Sequence, residues 1–146
     1  MRYTLLSIFF VAASLTSFAQ KSEIFAPEGL AIHGYDPVAI LKESKTIEGL
    51  ESLSYAWKGA TWRFASRENL EAFKSDPEKY APQYGGYCAY GMSRGYKAST
   101  EIDTWSVVNN KLYFNYNRDV KKEWEKERDS RIKTADENWK TVKDHE

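Results

Sequence analysis

The stretch LSYAWKGATWRFASRENLEAFK, Leu53 to Lys74, decides the fold class. Leu53, Tyr55 and Trp57 alternate with small or polar residues, the period of a strand with one covered face. Lys58-Gly59-Ala60 reads as a turn, and Trp62 and Phe64 alternate again on the returning strand. Ser66 is an N-cap residue, and Leu70 and Phe73, three apart, share the inner face of the helix that follows. The local unit is a β-hairpin that runs into a helix.

The same unit recurs in TWSVVNNKLYFNYNRDVKKEWEK, Thr104 to Lys126. Trp105 and Val107 alternate, Asn109-Asn110 is a tight-turn pair, and Leu112 and Phe114 alternate on the return. Asn117 can cap a helix carrying Val120 and Trp124. Phe64 and Phe114 hold equivalent places, which makes a weak internal repeat.

Between the units, Asp76-Pro77 starts a short helix with proline at its first position. Tyr80 and Tyr84 lie one turn apart before Gly85-Gly86 breaks the pattern. Upstream, His33 to Pro37 is turn chemistry, Val38 to Leu41 is a short apolar run, and Lys42 to Glu51 reads as a polar surface loop. Downstream, residues 118–142 form a charge-rich helical tail with Trp124, Ile132, Ala135 and Trp139 as apolar contacts. The expected class is α+β: two β-hairpins forming one small antiparallel sheet, covered by helices, with the tail at the C-terminus.

The first residues have the pattern of an export leader. Arg2 supplies a positive n-region, Leu5 to Leu15 an apolar stretch, and Ser17-Phe18-Ala19 the small residues before cleavage, which would leave Gln20 first. The apolar run is shorter than the roughly 20 residues a membrane span needs. With no cysteine at the cleavage point, lipid attachment there is excluded. The expectation is a signal peptide at residues 1–19, a single domain at residues 20–146 with its motif core about 33–117, and a periplasmic or extracellular location.

The full chain has 21 basic and 21 acidic residues. Losing Arg2 leaves the acids one ahead, so no electrostatic argument favours nucleic acid or an anionic membrane. There is no Gly-rich phosphate loop, no CxxC or HxxxH cluster, and no Ser-His-Asp set, since His33 is the only histidine outside the tail.

One cysteine, Cys88, lies in QYGGYCAYG, Gln83 to Gly91. A single thiol cannot make an internal disulfide, and in an oxidising compartment it stands out. It is either a small buried residue or a reactive one. A helix starting just after Gly86 would put it in the first turn, where unpaired N–H groups lower its pKa. The glycines would then let a ligand approach the backbone. His33 is either a turn histidine bonded to nearby backbone or a ligand or proton partner of Cys88. Asp36 reads as a turn-forming acceptor of backbone N–H groups. Tyr35 and Tyr87 read as packing, with Tyr87 a candidate pocket wall.

GYDPVAI (Gly34 to Ile40), ATWRFASRENLEAFKSDPEKYAPQYGGYCAYG (Ala60 to Gly91) and KLYFNYN (Lys111 to Asn117) together resemble the YHS domain, most closely its exported single-domain branch. The resemblance implies a small α+β domain of a kind associated with metal binding. Relatives carry F-C-S-x-x-C where this chain has Phe64-Ala65-Ser66-Arg67-Glu68-Asn69, so the two-thiolate pair is missing at Ala65 and Asn69. Some members of the branch are selenoproteins, which implies that Cys88 is the chalcogen position.

The expected function is a non-catalytic binding module for a metal ion or small ligand near Cys88. The candidate ligand residues are Cys88, Gly85, Gly86, Tyr87, His33, Tyr35 and Asp36. Cys88 and His33 are the candidate metal pair, for Cu(I) or Zn(II). The rivals are a thiol redox protein using Cys88 without a resolving cysteine, and an interaction domain with no ligand.

Overall fold

Both hairpins turn on a left-handed residue pair: Lys58 and Gly59 at φ 48° and 73°, Asn109 and Asn110 at φ 51° and 60°. Such two-residue turns match the natural twist of the strands they join. In the computed structural model, which describes residues 21–145, strand β1 (Leu50–Trp57) pairs antiparallel with β2 (Ala60–Phe64). Strand β3 (Ser106–Val108) pairs antiparallel with β4 (Lys111–Tyr113). The leader expected at residues 1–19 lies outside the described residues. Among the described residues, six α-helices complete the α+β fold: α1 (Pro37–Glu43), α2 (Arg67–Ser75), α3 (Pro77–Tyr80), α4 (Ala89–Ser93), α5 (Arg118–Lys126) and α6 (Arg128–His145).

The N-caps follow the side chains that suit them. Ser66 accepts from the Asn69 N–H at 3.1 Å and Asn117 from the Val120 N–H at 2.9 Å. Both α2 and α5 therefore start where the sequence places a short polar acceptor. The tail is two helices rather than one, broken at Glu127 (φ −133°, ψ 37°). Helix α1 occupies the short apolar run after Asp36-Pro37, and its start is fixed by the Asp36 side chain.

The hairpins do not join into a single sheet; they form two separate two-stranded sheets. Their edges are used elsewhere. Leu30 makes a parallel bridge to Thr61 of β2, and Cys88 makes one to Phe114 just after β4. The chain leading into each unit thus takes the place a neighbouring hairpin would need.

The repeat extends further back than the hairpins. Ile32, His33 and Gly34 are all left-handed (φ 52°, 52° and 83°), and so are Tyr84, Gly85 and Gly86 (φ 56°, 62° and 87°). Each trio closes with a tyrosine N–H on the carbonyl three back: Tyr35 to Ile32 and Tyr87 to Tyr84, both at 3.0 Å. Each tyrosine is followed by a helix-capping residue, Asp36 or Cys88. Each then leads to a helix, a hairpin and a capped second helix. The molecule is built from two such units.

Two apolar clusters follow from this plan. The first gathers Val38, Ile40, Trp62, Phe64 and Phe73, with Leu112 and Phe114 from the second unit. Phe73 lies 4.9 Å from the Trp62 ring and 5.1 Å from the Phe64 ring. The second cluster gathers Tyr84, Met92, Tyr113, Trp124 and Ala135. Strand β4 serves both, since successive side chains point to opposite faces: Leu112 one way and Tyr113 the other. Each fully buried large side chain contributes about 1.5–3 kcal/mol.

Candidate functional site

The left-handed turn from Tyr84 to Gly86 sits under the chain's own N-terminal segment. An added Cβ at Gly85 would lie 1.8 Å from the Glu23 carbonyl oxygen, so only glycine permits this crossing. The Phe25 N–H donates to the Gly85 carbonyl at 2.9 Å, and the Tyr87 hydroxyl donates to the Ser22 carbonyl at 2.8 Å. The Phe25 ring packs at 5.7 Å from His33 and 5.5 Å from Tyr87. Residues 21–25 therefore form a strap over the turn. The backbone at Gly85 does not open to a ligand in the expected way. Its α-carbon faces Glu23, and what stays open is the side of the turn next to the strap.

Lys97 anchors strap and tail together. It is buried, and its ammonium donates to the carbonyls of Lys21 and Lys143, each at 3.0 Å. It also lies 5.5 Å from the Tyr87 ring and 5.8 Å from the Trp139 ring. Nothing in the sequence pattern marks this lysine as buried.

Cys88 is the N-cap of α4 rather than part of its first turn. It is 1 % exposed. Its sulfur accepts the Gly91 N–H at 3.4 Å and the Tyr116 N–H at 3.3 Å, and its S–H faces Asn115 Oδ1 at 3.6 Å. Burial pushes the thiol pKa up, and the N–H bonds only partly oppose this. The expected activation by a helix start is thus reversed: desolvation of a thiolate outweighs a short helix's dipole.

Asp36 is the same cap in the first unit, and it is fully buried. Its Oδ1 accepts from Val38 N and Ala39 N at 2.8 and 3.1 Å. Its Oδ2 accepts from Ala65 N and from the Asn69 amide, both at 2.8 Å. The two positions that lack the relatives' cysteines, Ala65 and Asn69, therefore both serve this carboxylate. Tyr35, half-buried, packs on the first cluster.

His33 is exposed, with Nε2 at 2.9 Å from the Thr100 carbonyl. A carbonyl only accepts, so Nε2 is the donor of this bond. Thr100 in turn donates its hydroxyl to the Gly86 carbonyl at 2.7 Å. His33, Gly86, Thr100, Ile32, Phe25 and Phe114 enclose a cavity of about 10 Å³, room for about one water. Thr100 therefore ties the His33 turn of the first unit to the Gly86 turn of the second. Cys88, with its sulfur bonded within its own unit, does not line that cavity.

A larger cleft of about 150 Å³ also borders the strap, at Glu23 and Ile24. Its walls are Trp57 and Lys58 of the first hairpin turn, Tyr84 and Gly85, and Asp136 and Trp139 of α6, with Glu23 and Glu78 at the rim. The Tyr84 hydroxyl donates to Asp136 Oδ1 at 2.8 Å. Burial, then this bond, pushes the Tyr84 pKa up. Of the residues expected at a site, only Gly85 lines this cleft. The rest come from parts of the sequence that separately look like hairpin turn and tail.

Residues 44–84 match the family model described as the YHS domain. Over that segment the chain is similar to the YHS domain. No curated protein and no solved structure matches the chain. The YHS match covers the first hairpin, α2, α3 and the start of the second left-handed turn, and ends at Tyr84 in the cleft wall. The YHS family is one of candidate metal-binding domains, a role that needs a cluster of donor side chains. Among the described residues no three His, Cys, Asp or Glu side chains come together as a metal-holding group. The lone pairs of Asp36 and Cys88 are turned onto N–H groups. These residues do not fit a resident metal centre.

Proposed function

We propose that this chain is an exported, non-catalytic binding module that takes a small ligand in the cleft beside Tyr84 and Gly85 rather than on the Cys88 sulfur. The observation that carries the reading is the cleft in which Tyr84 and Gly85 meet Trp57, Asp136 and Trp139. Binding sites combine apolar or aromatic walls with a few placed polar groups, and this cleft has both. A YHS domain is compatible with a binding role.

The metal version is the less favoured one, because no three-ligand group exists among the described residues and two ligands fall short of a closed zinc site. The redox version is disfavoured by a thiol that is buried and held in its neutral form. Export is supported by the leader pattern alone; protein recovered from outside the cytoplasm is expected to begin at Gln20.

The test is metal retention by the full chain. Purified protein loaded with Cu(I) or Zn(II) and desalted is expected to keep no more metal than Cys88→Ala does. One equivalent held by the wild type and lost in Cys88→Ala would overturn the small-ligand reading in favour of a metal site.

A further inference from the structure

The cleft beside the strap seats one cation between two carboxylates on one wall and offers a third carboxylate on the other. On the first wall the Lys58 ammonium lies 2.7 Å from Glu23 and 3.0 Å from Glu78, and 4.8 Å from the centre of the Trp57 ring. An ammonium there has carboxylates beside it and an aromatic face beneath it, the two groups that stabilise organic cations. Partial burial works against the charged form of Lys58, yet the two carboxylates hold its pKa above the ordinary lysine value.

The opposite wall repeats the carboxylate and the rings. Asp136 projects from α6 beside Tyr84 and Trp139, whose rings lie 6.1 Å apart at 66°. The Tyr84 hydroxyl fixes one carboxylate oxygen. Asp136 makes no salt bridge with any Lys or Arg among the described residues, whereas its neighbours in the tail, Asp129, Glu127 and Glu137, each hold one. The walls of the cleft thus carry three carboxylates against one ammonium.

We infer that the cleft binds a small organic cation, with a ligand ammonium seated at Asp136 beside the Tyr84 and Trp139 rings. This rests on the binding-module reading and names its ligand class. A diamine matches this lining, because it offers a second ammonium to the Glu23 and Glu78 carboxylates that hold Lys58. A monovalent metal ion would gain the carboxylates but not the rings' apolar contact, and a neutral polyol would gain the rings but not the charge.

The test is a titration of the full chain with putrescine, followed by the indole N–H signals of Trp57 and Trp139 and the backbone amides around Gly85. Butanediol serves as the uncharged match. Putrescine is expected to shift these signals, and added salt to weaken the effect. Asp136→Asn keeps an oxygen for the Tyr84 hydroxyl and so keeps the fold, yet should weaken binding about tenfold. Lys58→Gln removes the internal competitor and should tighten binding several-fold. Equal shifts with butanediol, or putrescine binding untouched by Asp136→Asn, would overturn the cation assignment while leaving the cleft a ligand site. No shift at the cleft with either probe would overturn both.

Discussion

Asp36 and Cys88 occupy one structural position in two units, and their chemistry differs accordingly. The carboxylate collects four donors from three segments, α1, Ala65 and Asn69. Asp36→Ala would leave these donors buried without a partner and remove a helix cap, at a cost of about 3–5 kcal/mol in urea unfolding. Cys88 collects two backbone donors on a sulfur. Cys88→Ser keeps an acceptor there and should cost less than Cys88→Ala, which is expected to lose about 1–2 kcal/mol. The native thiol should react with a disulfide reagent only as fast as the protein opens, and at once in urea. Rapid native reaction would contradict the burial that keeps the thiol neutral. The equivalence explains why a cysteine in a glycine-rich turn looks reactive in the sequence. Its neighbours are there to form a left-handed turn, and the residue that follows the turn caps the next helix.

At the scale of elements, the hairpins and their following helices are legible because period-2 alternation and short polar caps are local signals. Helix α1 is not, because its apolar run, Val38 to Leu41, spans a single turn, too short for a helical period to show, although its Asp36 cap is local. The one-sheet expectation fails for a similar reason. Sequence shows that strands exist but not that Leu30 takes the edge of β2 and Cys88 the chain after β4. The strap is also invisible, since residues 21–25 have no periodicity and are held by groups at Gly85, Tyr87 and Lys97. Gly85→Ala tests it directly. The new Cβ must expel the Glu23 backbone, so the Phe25 amide should lose its exchange protection while the β1–β2 amides keep theirs. Unchanged protection at Phe25 would show that the crossing is not what holds the strap.

For the whole molecule, the two units are joined by β4 and by the Thr100 link between the turns, and α6 is joined to the second unit by Asp136 on Tyr84. This last join is sensitive to alkali. Burial raises the Tyr84 pKa, with Asp136 adding to it, and burial raises Tyr113 to about 12. A tyrosine whose pKa is raised on folding holds its proton longer in the native state. Its contribution is fully present below the ordinary tyrosine pKa, near 10, and is lost as pH climbs from there through the folded value. Stability should therefore be flat at neutral pH and fall above about pH 10. The part of the tyrosinate absorbance that Tyr84→Phe removes should rise together with unfolding rather than ahead of it. Tyr84→Phe should flatten that fall, which equilibrium unfolding across pH would record.

The cleft is a property of this whole-molecule arrangement: a hairpin turn, a left-handed turn, a strap and a tail helix each supply one wall. Sequence motifs point to Cys88 and His33, whereas the cleft proposed as the site is lined by other residues, with Tyr84 and Gly85 in its wall. The most direct measurement is an amide shift map of the full chain recorded with putrescine and, separately, with Zn(II). The account predicts that putrescine moves the signals of Glu23, Lys58, Gln83, Gly85 and Trp139 together, and that Zn(II) leaves the surroundings of Cys88 and His33 unmoved. Zn(II) shifts centred on Cys88 and His33, with the cleft silent to putrescine, would contradict it.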